Sequence, residues 1–263
     1  MSSSTLSSRL FALVYGSLAY LAFLAVFLYL AGFLNDFLVP RSINHGPIVE
    51  WPLSFGIDVA LVALFGLQHS VMARRGFKGW LTRVVPQPLE RATYMFATCG
   101  VLALFYFAWR PLPFALYELT GQGALAMRIL FALGVAIILI STFLIDHFHL
   151  FGVRQVIDYA RGLPAREPAF FVSRWHRHVR HPLYVGWILT MFATPKLTVG
   201  HLVFALGFTL YILIAIRYEE RDLVSEHGVA YAEYRRKVPM LIPSLRGVAT
   251  QSVRVDTSDR ARA

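Results

Sequence analysis

Apolar stretches long enough to cross a membrane alternate along this chain with short, arginine-rich connectors. Residues 10–34 carry no charge and exceed the ~20 apolar residues that take a helix across ~30 Å of hydrocarbon. A signal-peptide core is shorter and less aromatic, and no small-residue cleavage site follows, so this run reads as a span. Residues 53–73, 92–109 and 129–145 give a second, third and fourth span. Residues 183–195 are apolar but short, residues 197–216 are full length, and Pro195-Lys196 marks the tip between them. The pattern predicts an all-α polytopic membrane bundle of five to six transmembrane segments. Its last two segments form a helical hairpin whose first arm is barely long enough to cross, and a C-terminal segment follows on the cytoplasmic side.

Composition agrees with that pattern. Of 263 residues, 57% are hydrophobic and 15% charged, which excludes disorder, a coiled coil and an ordinary soluble domain. The net charge of +10 would suggest nucleic acid on a soluble chain, but here its distribution matters more than its size. Arg74, Arg75, Lys78, Arg83 and Arg91 follow the second span, Arg154 to Arg180 follow the fourth, and Arg217 to Lys237 follow the last. The two alternate loops hold only Arg41, Arg110 and Arg128. Cytoplasmic loops concentrate Lys and Arg, so both termini are expected inside, in a multi-pass protein of a bacterial inner membrane. Topology then explains the charge without a nucleic-acid partner, and the basic loops are expected against anionic headgroups. The single Cys99 excludes a disulfide framework and any Cys-based metal cluster. Residues 1–246 read as one membrane domain in which 169–172 lie on the membrane surface, and residues 247–263 as a disordered polar tail.

Ionisable groups within spans are expensive and therefore candidates for function. Gln68 and His69 end the second span, while Asp146, His147 and His149 end the fourth. Arg180, His181 and Tyr184 open the hairpin, and Arg217, Tyr218, Glu219 and Glu220 close it. Four span ends thus set acids, bases and aromatics at one depth in one leaflet, which suggests a pocket open to the cytosol. Each piece has a plainer reading as an interfacial anchor or cap, and Asp146 with His149, three apart, can equally form a local pair. Asp58, near the outer end of its span, reads as a packing or capping acid, and His201 as interfacial. The remaining histidines are spaced onto different faces or crowded among arginines, so no metal is expected.

The string VRHPLYVGW at 179–187, followed by RYEERDLVSEHGVAYAEYRRKVPMLIP at 217–243, is more specific than any single residue. Pro182 suits a first helical turn. Arg180 and His181 then sit at its positive end, where an anionic carboxylate is favoured. Tyr184 and Trp187 offer faces to a purine or a sulfonium cation, and Glu219 or Glu220 can accept ribose hydroxyls. Leu223, Tyr231, Tyr234 and Val238 form an apolar stripe able to fold back as a lid. These strings resemble the isoprenylcysteine carboxyl methyltransferase-like integral membrane methyltransferases. GFLNDFLVPRSIN, LQHSVMAR and STFLIDHFHLFG, together with most of the chain, resemble the methanethiol S-methyltransferases and their NnrU-like relatives.

The resemblance implies that Arg180, His181, Tyr184, Gly186, Glu219 and Glu220, with Arg217 and Tyr218 as neighbours, bind S-adenosylmethionine. It implies methyl transfer to a small thiol, methanethiol giving dimethyl sulfide. A thiol of pKa ~8.5 is mostly protonated near neutrality, so a base is useful. His69, Asp146, His149 and Gln68 are the catalytic candidates, with the choice among them open. Phe65, Met72, Phe143 and Phe148 are expected to set the acceptor volume. Two other classes remain. One is a sterol-reductase-like oxidoreductase using NADPH, which shares the terminal motif, and the other is an NnrU-like accessory membrane protein without catalysis.

Overall fold

The computed structural model describes residues 5–164 and 175–244. The surface loop at 169–172 and the tail at 247–263 lie outside them. In chain order the elements are α1 (Leu6–Asn35), α2 (Trp51–Ala73), α3 (Arg75–Leu81), α4 (Glu90–Ala108), β1 (Ala115–Glu118), α5 (Gly121–Ile145), α6 (His147–Leu150), α7 (Val153–Ala160), α8 (Pro182–Phe192), β2 (Lys196–Thr198) and α9 (Val199–Lys237). Five of these helices, α1, α2, α4 with its preceding turn, α5 and α9, are long and apolar enough to cross a membrane. Leu21, Leu28, Phe107 and Phe143 stay well exposed, as side chains facing lipid should. The chain is a multi-pass membrane protein.

Local chemistry sets the helix ends. The Thr5 side chain caps α1 by accepting from Ser8 N–H, and α1 stops where Asp36 turns left-handed at φ 55. Pro182 occupies the first turn of α8, where its missing N–H leaves nothing unsatisfied. The Thr198 hydroxyl caps α9 through His201 N–H at 3.1 Å. Near its other end α9 is interrupted at Gly228, whose φ of 57 and ψ of −133 suit glycine alone.

The hairpin differs from a simple pair of helices. The 11 residues of α8 rise only about 16 Å, and a short non-helical stretch follows it. That stretch leads into β2, which pairs antiparallel with β1, Tyr117 opposite Leu197 and Glu118 opposite Lys196. The two loops at this end are thereby joined. His201, expected at the interface, is instead fully buried, its Nε2 donating to Met191 O at 2.8 Å. Asp58, expected to be a packing or capping acid, is buried, and its Oδ1 accepts from Arg110 N–H at 2.9 Å, just past the end of α4.

Helix α8 is held chiefly by α5. A Cβ on Gly134 would lie 2.4 Å from Thr190 Oγ1 and 2.9 Å from Thr190 N, and one on Gly186 would lie 2.9 Å from Ile138 N. Small residues at this crossing let two backbones approach within dispersion range, which is how helices associate when lipid removes the hydrophobic drive between them. The aromatic core, Phe33, Phe105, Trp109, Phe204 and Phe208, lies toward the strand end. Trp109 Nε1 donates there to Ile43 O at 3.1 Å. The opposite, arginine-rich end is left with a cavity.

Candidate active site

Helices α1, α2, α4, α5, α8 and α9 enclose a cavity of about 570 Å³. Its wall changes character along its length. Arg74, Arg91, Tyr218, Glu219, Asp222 and Glu226 surround the arginine-rich end, while Leu34, Leu102, Met191, Phe204 and Ile212 line the depth. His69, Tyr94 and Thr98 stand between the two regions.

The charged end is tied together across helices. Arg74 Nη1 lies 3.6 Å from Asp222 Oδ2, with its guanidinium 4.2 Å above the Tyr218 ring. Arg75 Nη2 lies 3.3 Å from Glu226 Oε2. Arg91 reaches the cavity from α4, and its buried Nε has no hydrogen-bond partner. Tyr184 Oη donates to Glu219 Oε2 at 3.0 Å, joining the walls supplied by α8 and α9.

Of the polar and aromatic residues singled out at the span ends and in the hairpin string, His69, His147, Tyr184, Trp187, Tyr218 and Glu219 line this cavity. His69 stacks on Phe65, ring centroids 5.1 Å apart, and its Nδ1 is buried without a partner. Gln68 turns away and donates to Met72 Sδ at 3.1 Å and Thr98 Oγ1 at 3.4 Å. Arg180, His181 and Glu220 form a buried cluster behind the wall. Arg180 Nε donates to Glu220 Oε1 at 2.8 Å, and His181 Nε2–H donates to the same oxygen at 3.1 Å. Arg180 Nη1 also donates to Arg235 O and Val238 O. Gly186 lies against α5 and Arg217 is exposed, both away from the cavity.

The expected lid is placed differently. Tyr234 Oη donates to His176 O, while Arg180 N and His181 N donate to Pro239 O and Met240 O. The segment after α9 is thus fastened to the chain entering α8, and of the apolar stripe only Leu223 borders the cavity.

The α5–α6 junction also departs from the spacing argument. Asp146 adopts φ 136 and ends α5, so Asp146 and His149 do not share a continuous helix face. Asp146 Oδ1 accepts from His149 N–H at 3.1 Å and Oδ2 from Arg154 Nη1 at 2.8 Å. The carboxylate therefore caps α6 and does not orient the His149 imidazole. Burial, and next the Arg91 charge, hold that imidazole below its ordinary range, with Asp146 opposing.

His147, not His149, lines the cavity, but both its nitrogens are engaged. Thr142 Oγ1 commits its hydrogen to Leu139 O at 2.7 Å, so it accepts from His147 Nδ1–H at 2.8 Å. Nε2 is then the acceptor for Tyr20 Oη–H at 2.8 Å. Of the four residues expected to set the acceptor volume, only Phe65 lines the cavity. Phe143 and Phe148 pack on His147 instead. Among the described residues no group of His, Cys, Asp and Glu could hold a metal.

Sequence reasoning did not single out Arg91, Asp222 and Glu226 as lining residues. Arg91 and Asp222 were readable only as charges flanking spans. Their inward direction depends on helix rotation that an apolar run does not specify.

Fold and cavity define a multi-pass membrane protein with a deep amphipathic ligand cavity opening at its arginine-rich end. No family model matches the chain, and no solved structure does. Curated relatives do match. The methanethiol S-methyltransferase of Crocosphaera subtropica is 45% identical over 242 residues, 92% of this chain and 95% of the relative. That of Mycobacterium tuberculosis is 44% identical over 89% of this chain and 97% of the relative. Nurim of Xenopus laevis is more distant, 28% identical over 72% of the chain. The chain belongs to the methanethiol S-methyltransferase family.

Proposed function

We propose that this protein methylates methanethiol to dimethyl sulfide, taking the methyl group from S-adenosylmethionine at the cytoplasmic face of a bacterial inner membrane. The observation that carries the reading is the division of one cavity into a charged mouth and an apolar depth, with an unpartnered histidine at the boundary. A charged donor from water and a hydrophobic acceptor from the bilayer need that arrangement.

The residues present fit the donor. Arg91, with its orphaned buried Nε, and Arg74 would take its carboxylate, by charge-assisted hydrogen bonds. Glu219 and Asp222 would take the ribose hydroxyls and the ammonium group. Tyr184 and Trp187, which line the cavity, would meet the adenine and the sulfonium, while the Tyr218 ring holds the Arg74 guanidinium in place. When bound, S-adenosylmethionine supplies a methyl group made electrophilic by its positively charged sulfur. Arg180, His181 and Glu220 hold α8 against α9 and so position Tyr184 and Glu219. The arginine-rich connectors face the cytoplasm and its anionic headgroups.

His69 is the base in this reading, because its imidazole reaches the cavity with one nitrogen unbonded, whereas both nitrogens of His147 are engaged. It takes the thiol proton and presents a thiolate, a far better nucleophile than the thiol. Water is kept from the acceptor side by Leu102, Met191, Phe204 and their neighbours.

The test is reconstitution of the full chain in lipid nanodiscs with S-adenosylmethionine and methanethiol, followed by headspace detection of dimethyl sulfide. Binding of S-adenosylhomocysteine, without binding of NADPH or haem, is expected. Haem or NADPH binding with no thioether would discard the assignment.

A further inference from the structure

The depth of the cavity is out of proportion to methanethiol. Glu219 and Phe204 both line it and stand fifteen residues apart in α9, about 22 Å along the helix axis. On α4, which runs beside the same cavity, Tyr94 at the level of His69 and Tyr106 at the far end both line it, about 18 Å apart along that helix. Methanethiol has two heavy atoms and needs roughly the space of two waters, ~60 Å³. With the donor confined to the charged mouth, the chamber beyond His69 remains far longer than that acceptor requires.

The chamber is also dry in character. Its polar side chains are few, and the hydroxyls of Tyr106 and Thr98 are engaged. Tyr106 Oη donates to Val26 O at 3.1 Å, and Thr98 Oγ1 accepts from Gln68. An apolar chain placed there leaves no buried donor or acceptor of these groups newly unpaired, while water placed there would find few partners. Single C–C bonds advance an extended alkyl chain by roughly 1.3 Å per carbon, so the chamber has room for a chain of six carbons.

We propose that the acceptors of this site include longer, membrane-partitioning alkanethiols, with the sulfur at His69 and the alkyl chain running toward Leu34 and Phe204. This rests on the thiol methyltransferase reading above and extends it to a substrate class. The chemistry is unchanged: the new S–CH3 bond forms as the sulfonium–CH3 bond of S-adenosylmethionine breaks. The electron pair of the broken bond stays on the donor sulfur, and the thiol proton goes to the His69 imidazole.

The experiment measures kcat/KM for methanethiol, butanethiol and hexanethiol with S-adenosylmethionine and the full chain in nanodiscs, referred to free aqueous thiol. Burying a methylene is worth up to about fourfold, and hexanethiol is expected to exceed methanethiol by at least about tenfold. Leu102→Trp, which fills the chamber from α4, should lower the hexanethiol-to-methanethiol ratio at least about tenfold. Leu34→Phe, from α1, gives a second reading of that ratio should the first variant fail to accumulate. Turnover of methanethiol with a flat or falling series, or an unchanged ratio in the variants, overturns this proposal alone. Turnover of no thiol overturns it together with the reading on which it rests.

Discussion

Gly186 belongs to the string that resembles a cofactor motif, yet its Cα faces α5, so two roles for it can be separated by mutating its partner. A methyl group added at Gly134, outside the motif, would lie 2.4 Å from Thr190 Oγ1 and 3.1 Å from Gly186 O. The hydroxyl can rotate, but Thr190 N at 2.9 Å and the carbonyl belong to the α8 backbone. The helices must therefore part by roughly half an ångström, giving up dispersion contacts along the crossing. Overpacking of this kind costs about 1–3 kcal/mol. A loss of about 2 kcal/mol lowers the Tm of a domain this size by about 4–8 °C. Because Tyr184 and Trp187 ride on α8, affinity for S-adenosylhomocysteine should fall with it. Gly134→Ala and Gly186→Ala should thus match in Tm and in ligand affinity, as measured by thermal unfolding and equilibrium binding in detergent. Gly100→Ala is the control: nothing lies within 4 Å of its added Cβ, and helix propensity alone should raise stability by about 0.5–1 kcal/mol. A Gly134→Ala protein with parental Tm and affinity, beside a Gly186→Ala protein that has lost binding, would return Gly186 to the cofactor and refute the packing account.

Three further outcomes follow from the geometry. His69→Asn should lower kcat by about 100- to 10,000-fold while S-adenosylhomocysteine affinity changes by less than about threefold; equal losses in both would make His69 a binding residue. Glu220→Ala removes the acceptor shared by Arg180 and His181, a loss of about 3–5 kcal/mol for a buried pair, and should expose the segment at 238–244 to protease; an unchanged digestion rate would contradict its role as a fastening. Burial, and next the His181 charge, hold the His176 imidazole down at about 4 against 6.5 for an ordinary histidine. The unfolded chain then binds the extra proton, so stability is full above about pH 6.5 and declines as pH falls toward about 4. His176→Gln should flatten that decline in Tm, and an unaltered slope would assign it to another group.

Span positions were legible because an uncharged run is a direct statement of transfer free energy. The run at 10–34 becomes α1 at Leu6–Asn35, and that at 53–73 becomes α2 at Trp51–Ala73. The site was legible only at the resolution of a helix end. Asp146 and His149 were three apart in a pattern that assumed one helix, and a single residue at φ 136 voids that assumption without altering any hydrophobic count. The missing signal for Arg91 and Asp222 is of the same kind, since a span's composition fixes its depth but leaves its rotation to packing.

Glu219 and Glu220 show what such rotation does to a motif. Read as a string, two adjacent carboxylates look like one function. Successive residues on a helix point about 100° apart, so a helix forming the wall of a cavity must send them to different places. Glu219 goes to the cavity, where Tyr184 Oη meets it at 3.0 Å. Glu220 goes behind the wall, to Arg180 and His181 at 2.8 and 3.1 Å. The same division applies to the opening of α8, where His181 faces Glu220 and Tyr184, three residues on, faces Glu219. The two strings are therefore one interlocked joint with a side that lines the cavity and a side buried behind it. Substitutions at Arg180, His181 or Glu220 should abolish activity only by loosening α8. Conservative variants that keep the joint closed, such as Arg180→Lys, should recover donor affinity in step with recovered Tm. Recovery of Tm without recovery of affinity would mean that the cluster touches the ligand after all.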